Sequence, residues 1–149
     1  MNRIIGAIYP VPREFTNRLF DGNQVFVKYV AHNTTRLEPR NKVIFYASHG
    51  PRALIGEGTI EKIEFLSPET VLAKYKTGLF LNETEFYRYV KKMPSRARTK
   101  EMMAIILKKL KRYPRPIDYD RPMTMAGQYL GIEEYSALQK QRKIDRIDE

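Results

Sequence analysis

The chain has 149 residues, 27 of them Lys or Arg and 17 Asp or Glu, and it contains no cysteine. This length suits one domain that buries roughly two-thirds of the surface of its unfolded chain. The lack of cysteine excludes disulfides, thiolate catalysis and cysteine-ligated metal sites, and His32 and His49 are the only imidazoles. The apolar runs are too short for a signal peptide or a membrane span. We therefore expect a cytoplasmic protein that uses no membrane, metal or other cofactor.

The positive charge is concentrated in one part of the sequence. Residues 91–116 hold ten basic side chains and one acid, Glu101, for a net charge of +9. Residues 1–90 hold twelve basic and nine acidic side chains, for +3, and residues 117–149 hold five and seven, for −2. Because clustered cations attract polyanions and pair with phosphates, this block predicts a nucleic-acid partner. A solvated face that serves only solubility is the alternative.

The first part of the chain predicts a strand, a helix and a second strand. Residues 3–9 form a short apolar run, and Pro12 suits the start of a helix over about 13–20. Asp21-Gly22-Asn23 ends that helix. Residues 24–30 are rich in β-branched and aromatic side chains, which is typical of a strand.

Two more strands and two more helices are predicted in the middle of the chain. Residues 42–48 and 53–65 predict a hairpin, and the second strand contains two glycines, as curved or bulged strands often do. Ser67-Pro68 predicts the start of one helix, and Asn82 predicts the start of another that runs through Tyr89.

The last part of the chain is less regular. Residues 102–111 fit either an amphipathic helix or a buried strand. Three prolines predict that residues 113–122 are irregular or extended. From Ile132 onward the sequence predicts a charged amphipathic helix.

The order of these elements and four stretches of sequence resemble the PUA-like superfamily, and its ASCH-type domains in particular, over about residues 3–131. The stretches are Asp21-Gly22 leading into Val25-Phe26-Val27-Lys28, residues 42–48, residues 54–60, and the closing Thr124-Met125-Ala126-Gly127-Gln128-Tyr129, which is similar to an uncharacterised archaeal family of this type. The resemblance implies an α+β fold, a pseudo-β-barrel of five or six mostly antiparallel strands with helices covering the openings. It also implies a strand at about 101–111, a barrel domain over 1–131 and a helical extension of the same domain over 132–149.

Most members of this group bind RNA. The resemblance therefore implies a non-catalytic RNA-binding module that recognises a structured or modified RNA such as tRNA or rRNA. The implied groove lies where the first helix, the following strand and the next loop meet. That placement makes five residues candidate RNA contacts: Arg13, Arg18, Gln24, Lys28 and Tyr29. Cations there would pair with phosphates, and an aromatic ring would stack on a base.

One catalytic pattern of the group is not present in this chain. Some ASCH proteins hydrolyse N4-acetylcytidine with a lysine and a threonine from a Gly-x-Lys-Thr-x-Thr stretch and a distant glutamate. Here Gln24 stands in place of the lysine and Val27 in place of the second threonine, so we do not expect that hydrolysis. Ser48-His49 does not predict a catalytic dyad either, because adjacent strand residues point to opposite faces.

Further candidate RNA contacts lie outside this groove, in the predicted hairpin loop and in the basic block. They are His49, Arg52, Arg96, Arg98, Lys100, Arg112, Tyr113 and Arg115. For His49 and Arg52, an ordinary solvated turn is an equally good interpretation. For Tyr113, an equally good interpretation is that its ring covers the end of the barrel. Tyr113 among arginines would otherwise suit stacking combined with phosphate pairing.

Three acidic residues lie close together in the second strand of the predicted hairpin. We expect Glu57, Glu61 and Glu64 to form the outward face of a sheet, rather than an acid–base pair or a metal site.

Two functions other than RNA binding stay open. One is an enzyme of RNA or nucleoside modification or processing that uses the barrel pocket. The other is a protein-interaction adaptor that uses the charged C-terminal helix.

Overall fold

The computed structural model describes residues 3–29, 34–47, 52–92, 101–119, 121–124 and 126–147, with the side chains of all of these except 13 and 142–147. In chain order the elements are β1 Ile4–Val11, α1 Arg13–Phe20, β2 Val25–Tyr29, β3 Lys42–Ala47, β4 Ala53–Leu66, α2 Pro68–Tyr75, α3 Glu83–Lys91, β5 Met102–Asp118, β6 Gln128–Gly131 and α4 Ile132–Ile147.

The six strands form one mixed sheet in the order β2-β5-β4-β3-β1-β6. Among these named strands, β1 and β3 are parallel and the other neighbours are antiparallel. The sheet is strongly curved, as a contact between two distant strands shows. The ring of Phe26 on the edge strand β2 stacks on the ring of Tyr9 on β1, with 5.5 Å between the ring centroids, although three strands separate β2 from β1 in the sheet. This arrangement confirms the predicted α+β class and gives it the form of an open pseudo-barrel.

Each face of the sheet has its own hydrophobic core, because side chains alternate along the strands. The inner face carries Phe26 and Phe45 in a core that also receives residues from α1, α2 and α3. The outer face carries Ile44 and Tyr113, which pack with Leu138 of α4. The first three helices therefore cover the concave side, and the fourth covers the opposite side.

Helices α2 and α3 begin where the sequence predicts. The Ser67 hydroxyl accepts a hydrogen bond from the backbone N–H of Thr70 at 3.3 Å. Asn82 and Glu85 form a capping box, in which the side chain of each accepts a hydrogen bond from the backbone N–H of the other, at 2.9 and 2.8 Å. Each cap satisfies N–H groups that have no partner within the helix.

Strand β5 is longer than expected. It confirms the strand that the resemblance implies and runs on through Pro114 and Pro116, in the segment that the prolines predict to be irregular or extended. The prolines are tolerated because they lie where the β4–β5 pairing shifts register, between Leu54 and Gly56 of β4. A proline that falls in a bulge removes no hydrogen bond of a regular ladder.

Helix α4 follows β6 directly and lies on the outer face, where Leu138 is buried and Tyr135 is packed against the core. It begins at Ile132, as predicted. Among the described helices, none is long and apolar enough to cross a membrane.

Candidate nucleic-acid interface

The curvature of the sheet brings the ends of β1, β2 and β6 together at one opening. The Lys28 ammonium lies 5.4 Å from the centroid of the Tyr9 ring. The Arg36 guanidinium lies 5.6 Å from the centroid of the Tyr129 ring, and the Arg36 backbone N–H donates to the Tyr129 hydroxyl at 3.1 Å. Tyr9 interacts electrostatically with Tyr129. We call Tyr9, Lys28, Arg36 and Tyr129 the mouth cluster.

Lys28 is a half-buried cation. It follows Phe26 at the two-residue spacing of a strand, so both side chains point to the inner face and towards Tyr9. Burial lowers the pKa of Lys28, because desolvation penalises the charged ammonium. A partly desolvated cation attracts an anion more strongly than a fully hydrated cation does, because the effective dielectric constant around it is lower.

Tyr9 forms the floor of the mouth cluster and is 6% exposed. Burial, and after it the proximity of Tyr129, raises the pKa of the Tyr9 phenol, so this hydroxyl stays neutral. Gly127 passes directly over the ring with φ of +78°, and a Cβ there would lie 2.6 Å from the backbone oxygen of Ile8. A glycine is required at this crossing.

Tyr129 supplies an exposed aromatic surface, since 43% of the residue is accessible. Together with the exposed Arg36, it offers a ring and a cation, the two groups that hold an unstacked base and its phosphate. Sequence reasoning missed both residues as candidate contacts. They are 93 positions apart, and no short-range pattern links them; the pairing of β6 with β1 is what brings Tyr129 to the mouth.

Arg18, a predicted RNA contact, has an intramolecular partner. Its guanidinium makes two hydrogen bonds to the Glu85 carboxylate, one of them from Nη2 to Oε2 at 2.9 Å. This hydrogen bonding raises the pKa of Arg18 and lowers that of Glu85. Arg18 therefore joins α1 to α3, and its charge is compensated within the protein.

Tyr29 and Gln24 do not lie in the mouth cluster. The Tyr29 ring stacks on the Tyr89 ring with 5.9 Å between centroids, and the Tyr29 backbone N–H donates to the Tyr89 hydroxyl at 3.0 Å. Gln24 is exposed, and its backbone oxygen accepts from the N–H of Leu107 at 2.8 Å. It lies about 13 Å from Lys28 along the strand, since four residues at about 3.3 Å each separate them. The side chain of Arg13 lies outside the described residues.

Apart from Tyr113, the candidates outside the groove fall into two groups. Those that lie outside the described residues are His49, Arg96, Arg98 and Lys100. Arg52, Arg112 and Arg115 are exposed, and the Arg112 guanidinium lies 4.7 Å from the centroid of the Phe20 ring.

Tyr113 must be removed from the candidate contacts. It is 2% exposed and belongs to the outer core, and its hydroxyl donates to Glu57 at 3.0 Å. Burial raises the pKa of the Tyr113 phenol, with the neighbouring Glu57 as a further cause. A ring enclosed in this way offers no face on which a base can stack.

Glu57 lies on the outer face of the sheet, as expected for the three acids of β4, but side chains of α4 enclose it there. Glu57 is 1% exposed. It accepts hydrogen bonds from the Tyr113 hydroxyl at 3.0 Å, the Tyr135 hydroxyl at 2.9 Å and the Gln139 amide at 3.3 Å, and the Lys42 ammonium lies at 3.8 Å. The residue is on the outer face, but α4 covers that face at this point. Glu61 is exposed, as expected, and Glu64 is half-buried beside Lys74.

Comparisons with known proteins agree with this architecture. Residues 4–132 match the model of a family described as a domain of unknown function, DUF365. An uncharacterised protein of Methanocaldococcus jannaschii is 35% identical over 105 residues, which are 66% of this chain and 97% of the relative.

Two solved structures are similar in fold. The ASCH protein of Zymomonas mobilis has a TM-score of 0.76 at 19% identity, over 91% of this chain and 94% of that one. The N-terminal domain of McrB from Staphylothermus marinus has a TM-score of 0.52 at 17% identity, over 94% of this chain and 98% of that one. These likenesses confirm the resemblance inferred from sequence, and the chain belongs to the DUF365 family, with a fold of the PUA-like, ASCH type.

Proposed function

We propose that this protein binds RNA and holds one unstacked nucleotide at the mouth cluster. The observation that carries the proposal is the half-buried Lys28 facing Tyr9, next to the exposed pair of Arg36 and Tyr129. The net charge of +10 supports it, because a basic protein concentrates polyanions near its surface. A structured or modified RNA such as tRNA or rRNA is the proposed ligand.

The proposed roles follow from the chemistry of the four side chains. Tyr129 stacks on the base, and Arg36 pairs with the adjacent phosphate. Lys28 binds a second anionic or carbonyl oxygen from within the mouth, and the neutral Tyr9 hydroxyl donates or accepts a hydrogen bond. Stacking of a base on an aromatic side chain contributes roughly 1–3 kcal/mol, as measured by alanine substitution.

The test is a comparison of two exposed tyrosines in RNA binding. Fluorescence anisotropy with a labelled tRNA stem-loop would measure Kd for the wild type, Tyr129→Ala and Tyr87→Ala. Tyr87 is the matched control, because it is 46% exposed and lies on α3. We expect Tyr129→Ala to weaken binding roughly 5- to 150-fold, which is the stacking energy converted to affinity, and Tyr87→Ala to change it less than twofold. Equal Kd values for all three proteins would refute the proposal.

The class of RNA requires a second experiment. Ultraviolet crosslinking in cell extract, with sequencing of the attached RNA and mapping of the crosslinked peptides, would identify it. We expect tRNA or rRNA fragments on peptides that contain Lys28 or Tyr129. Crosslinks confined to α4 would place the interface elsewhere.

A further inference from the structure

The middle of β5 carries four exposed cations within five residues. They are Lys108, Lys109, Lys111 and Arg112, which we call the basic bulge. Lys108 pairs with Thr59 and Lys111 with Glu57, so that Gly58 alone faces two residues of β5. One residue opposed by two is the signature of a β-bulge.

The bulge separates an apolar side chain from its charged neighbours. Leu110 packs against the inner core, and it lies so close to β4 that a Cβ on Gly58 would be 2.8 Å from Leu110 Cδ2. The extra residue is Lys109, whose φ of +53° lies in the left-handed region that non-glycine residues rarely adopt. Backbone strain kept at a residue with a side chain is characteristic of functional positions.

Within the described part of the chain, the cations of the basic bulge differ from several others in having no carboxylate partner. Other cations of the described part contact carboxylates, including Arg18, Lys42, Lys62, Lys74, Lys76 and Arg121. Within the same described ranges, no carboxylate forms an ion pair with any member of the basic bulge. Their positive potential is therefore available to an external polyanion.

We propose that the basic bulge is a second contact surface, which binds the sugar-phosphate backbone of the RNA whose nucleotide occupies the mouth cluster. This inference rests on the proposed function. Phosphate contacts of this kind add affinity and fix orientation without reading sequence. The mouth would then select the nucleotide, and the basic bulge would supply most of the dependence on salt.

The position of the basic bulge sets the length of RNA that reaches both surfaces. Lys28 pairs with Met103 of β5, and Lys108 lies five residues further along that strand. At about 3.3 Å per residue the backbone positions lie about 17 Å apart, and the two side chains point to opposite faces of the sheet because five is an odd number of residues. A stacked strand advances about 3.4 Å per nucleotide, so at least about five nucleotides are needed to reach both surfaces, and a stacked trinucleotide is too short.

The test removes three cations and measures binding of RNAs of two lengths. Lys108, Lys109 and Lys111 are changed to Gln together, and Kd is measured by anisotropy for a twelve-nucleotide RNA and by NMR titration for a trinucleotide. The matched control changes Lys62, Lys74 and Lys76 to Gln, which alters the net charge equally but removes cations that contact carboxylates.

We expect a selective loss. Each phosphate contact contributes about −0.7 to the slope of log affinity against log salt, so losing three contacts makes that slope less steep by about 2. The same loss weakens binding of the longer RNA roughly 50-fold at 0.15 M salt. Binding of the trinucleotide should stay within twofold, and the control should affect both RNAs little.

A single substitution separates charge from folding. Lys109→Gly keeps the bulge and relieves the backbone strain, because glycine adopts positive φ readily. We expect this variant to unfold at the wild-type temperature or higher and to bind the twelve-nucleotide RNA roughly fourfold more weakly, the effect of one lost phosphate contact at 0.15 M salt. Wild-type affinity in Lys109→Gly would count against the inference.

The outcomes distinguish this inference from the proposed function. If the wild type binds both RNAs and the triple variant weakens both equally or neither, the basic bulge is not a separate surface, while the mouth proposal stands. If the wild type binds neither RNA, both proposals fail. If Tyr129→Ala has no effect and the triple variant still weakens the longer RNA, the mouth proposal fails, and the basic bulge contacts RNA without a nucleotide held at the mouth cluster.

Discussion

Replacing Glu57 with Ala should cost more stability than any substitution at an exposed acid of the same strand. Glu57 is buried between β4 and α4, and two tyrosine hydroxyls and one amide donate to its carboxylate. Its removal leaves the Tyr113 hydroxyl in a dry core without this acceptor. An unsatisfied buried polar group carries its full desolvation penalty.

The magnitude follows from the hydrogen bonds that are lost. A hydrogen bond to a charged group contributes about 1.5–3 kcal/mol, so the two bonds from Tyr113 and Tyr135 together give a loss of about 3–6 kcal/mol. A domain of this size unfolds with a free energy of about 5–15 kcal/mol. Tyr135→Phe removes one of the two hydrogen bonds from α4 and should cost about 1.5–3 kcal/mol.

Urea denaturation at pH 7, followed by far-ultraviolet circular dichroism, measures these free energies of unfolding. Glu61→Ala is the control, because Glu61 is exposed on the same strand and its substitution should change stability by about 0.5 kcal/mol or less. A double-mutant cycle of Glu57→Gln with Tyr135→Phe should show coupling between sheet and helix. Equal losses in Glu57→Ala and Glu61→Ala would refute the account of the buried carboxylate.

Three further predictions concern the mouth, the curvature and the helices. Lys28→Met should weaken RNA binding without lowering the free energy of unfolding, because it replaces a partly desolvated cation whose pKa burial lowers. Gly56→Ala should cost about 1–3 kcal/mol in urea, since its Cβ would meet the Phe20 ring and lie 2.6 Å from a backbone oxygen. The hydrogen bond from Arg18 lowers the pKa of Glu85, so this bond stabilises the fold above pH 4.5, the ordinary pKa of a glutamate, and the stabilisation is lost as the pH falls towards the lower pKa of the folded state. In Glu85→Gln the free energy of unfolding should therefore depend less steeply on pH in acid.

Each of these three has a contradicting result. A Lys28→Met protein with unchanged RNA affinity would remove that lysine from the interface. A Gly56→Ala protein with the wild-type urea midpoint would show that the strand has room for a side chain. If Glu85→Gln loses stability as steeply as the wild type below pH 4.5, another carboxylate controls the acid transition.

Local signals were enough to locate most of the elements. The start of α1 after Pro12, the caps Ser67 and Asn82, and the β-branched and aromatic run of β2 depend on residues close together in sequence, and the structure agrees with each. The resemblance was needed for β5, because its apolar run satisfies both a helix and a strand. The register shift that accommodates the two prolines depends on pairing with β4, which local sequence does not encode.

The candidate site was predicted less completely, because it depends on long-range partners. The spacing of β4 places Glu57 on the outer face, but only the docking of α4 shows that this part of the face is covered. Arg18 was expected to be available to RNA, and its carboxylate partner lies 67 positions away on another helix. Of the groove residues whose side chains are described, Lys28 reaches the mouth.

The pairing of β1 has a consequence for how the chain is made. β1 lies between β3 and β6, and Ala7 pairs with Tyr129. During translation β1 emerges long before β6. A ribosome-bound chain that ends before Gln128 therefore exposes one edge of β1, and it also exposes the apolar side chains that Leu130 and α4 later cover. Pairings this distant in sequence form slowly, and the unpaired strand edge is open to aggregation until they form.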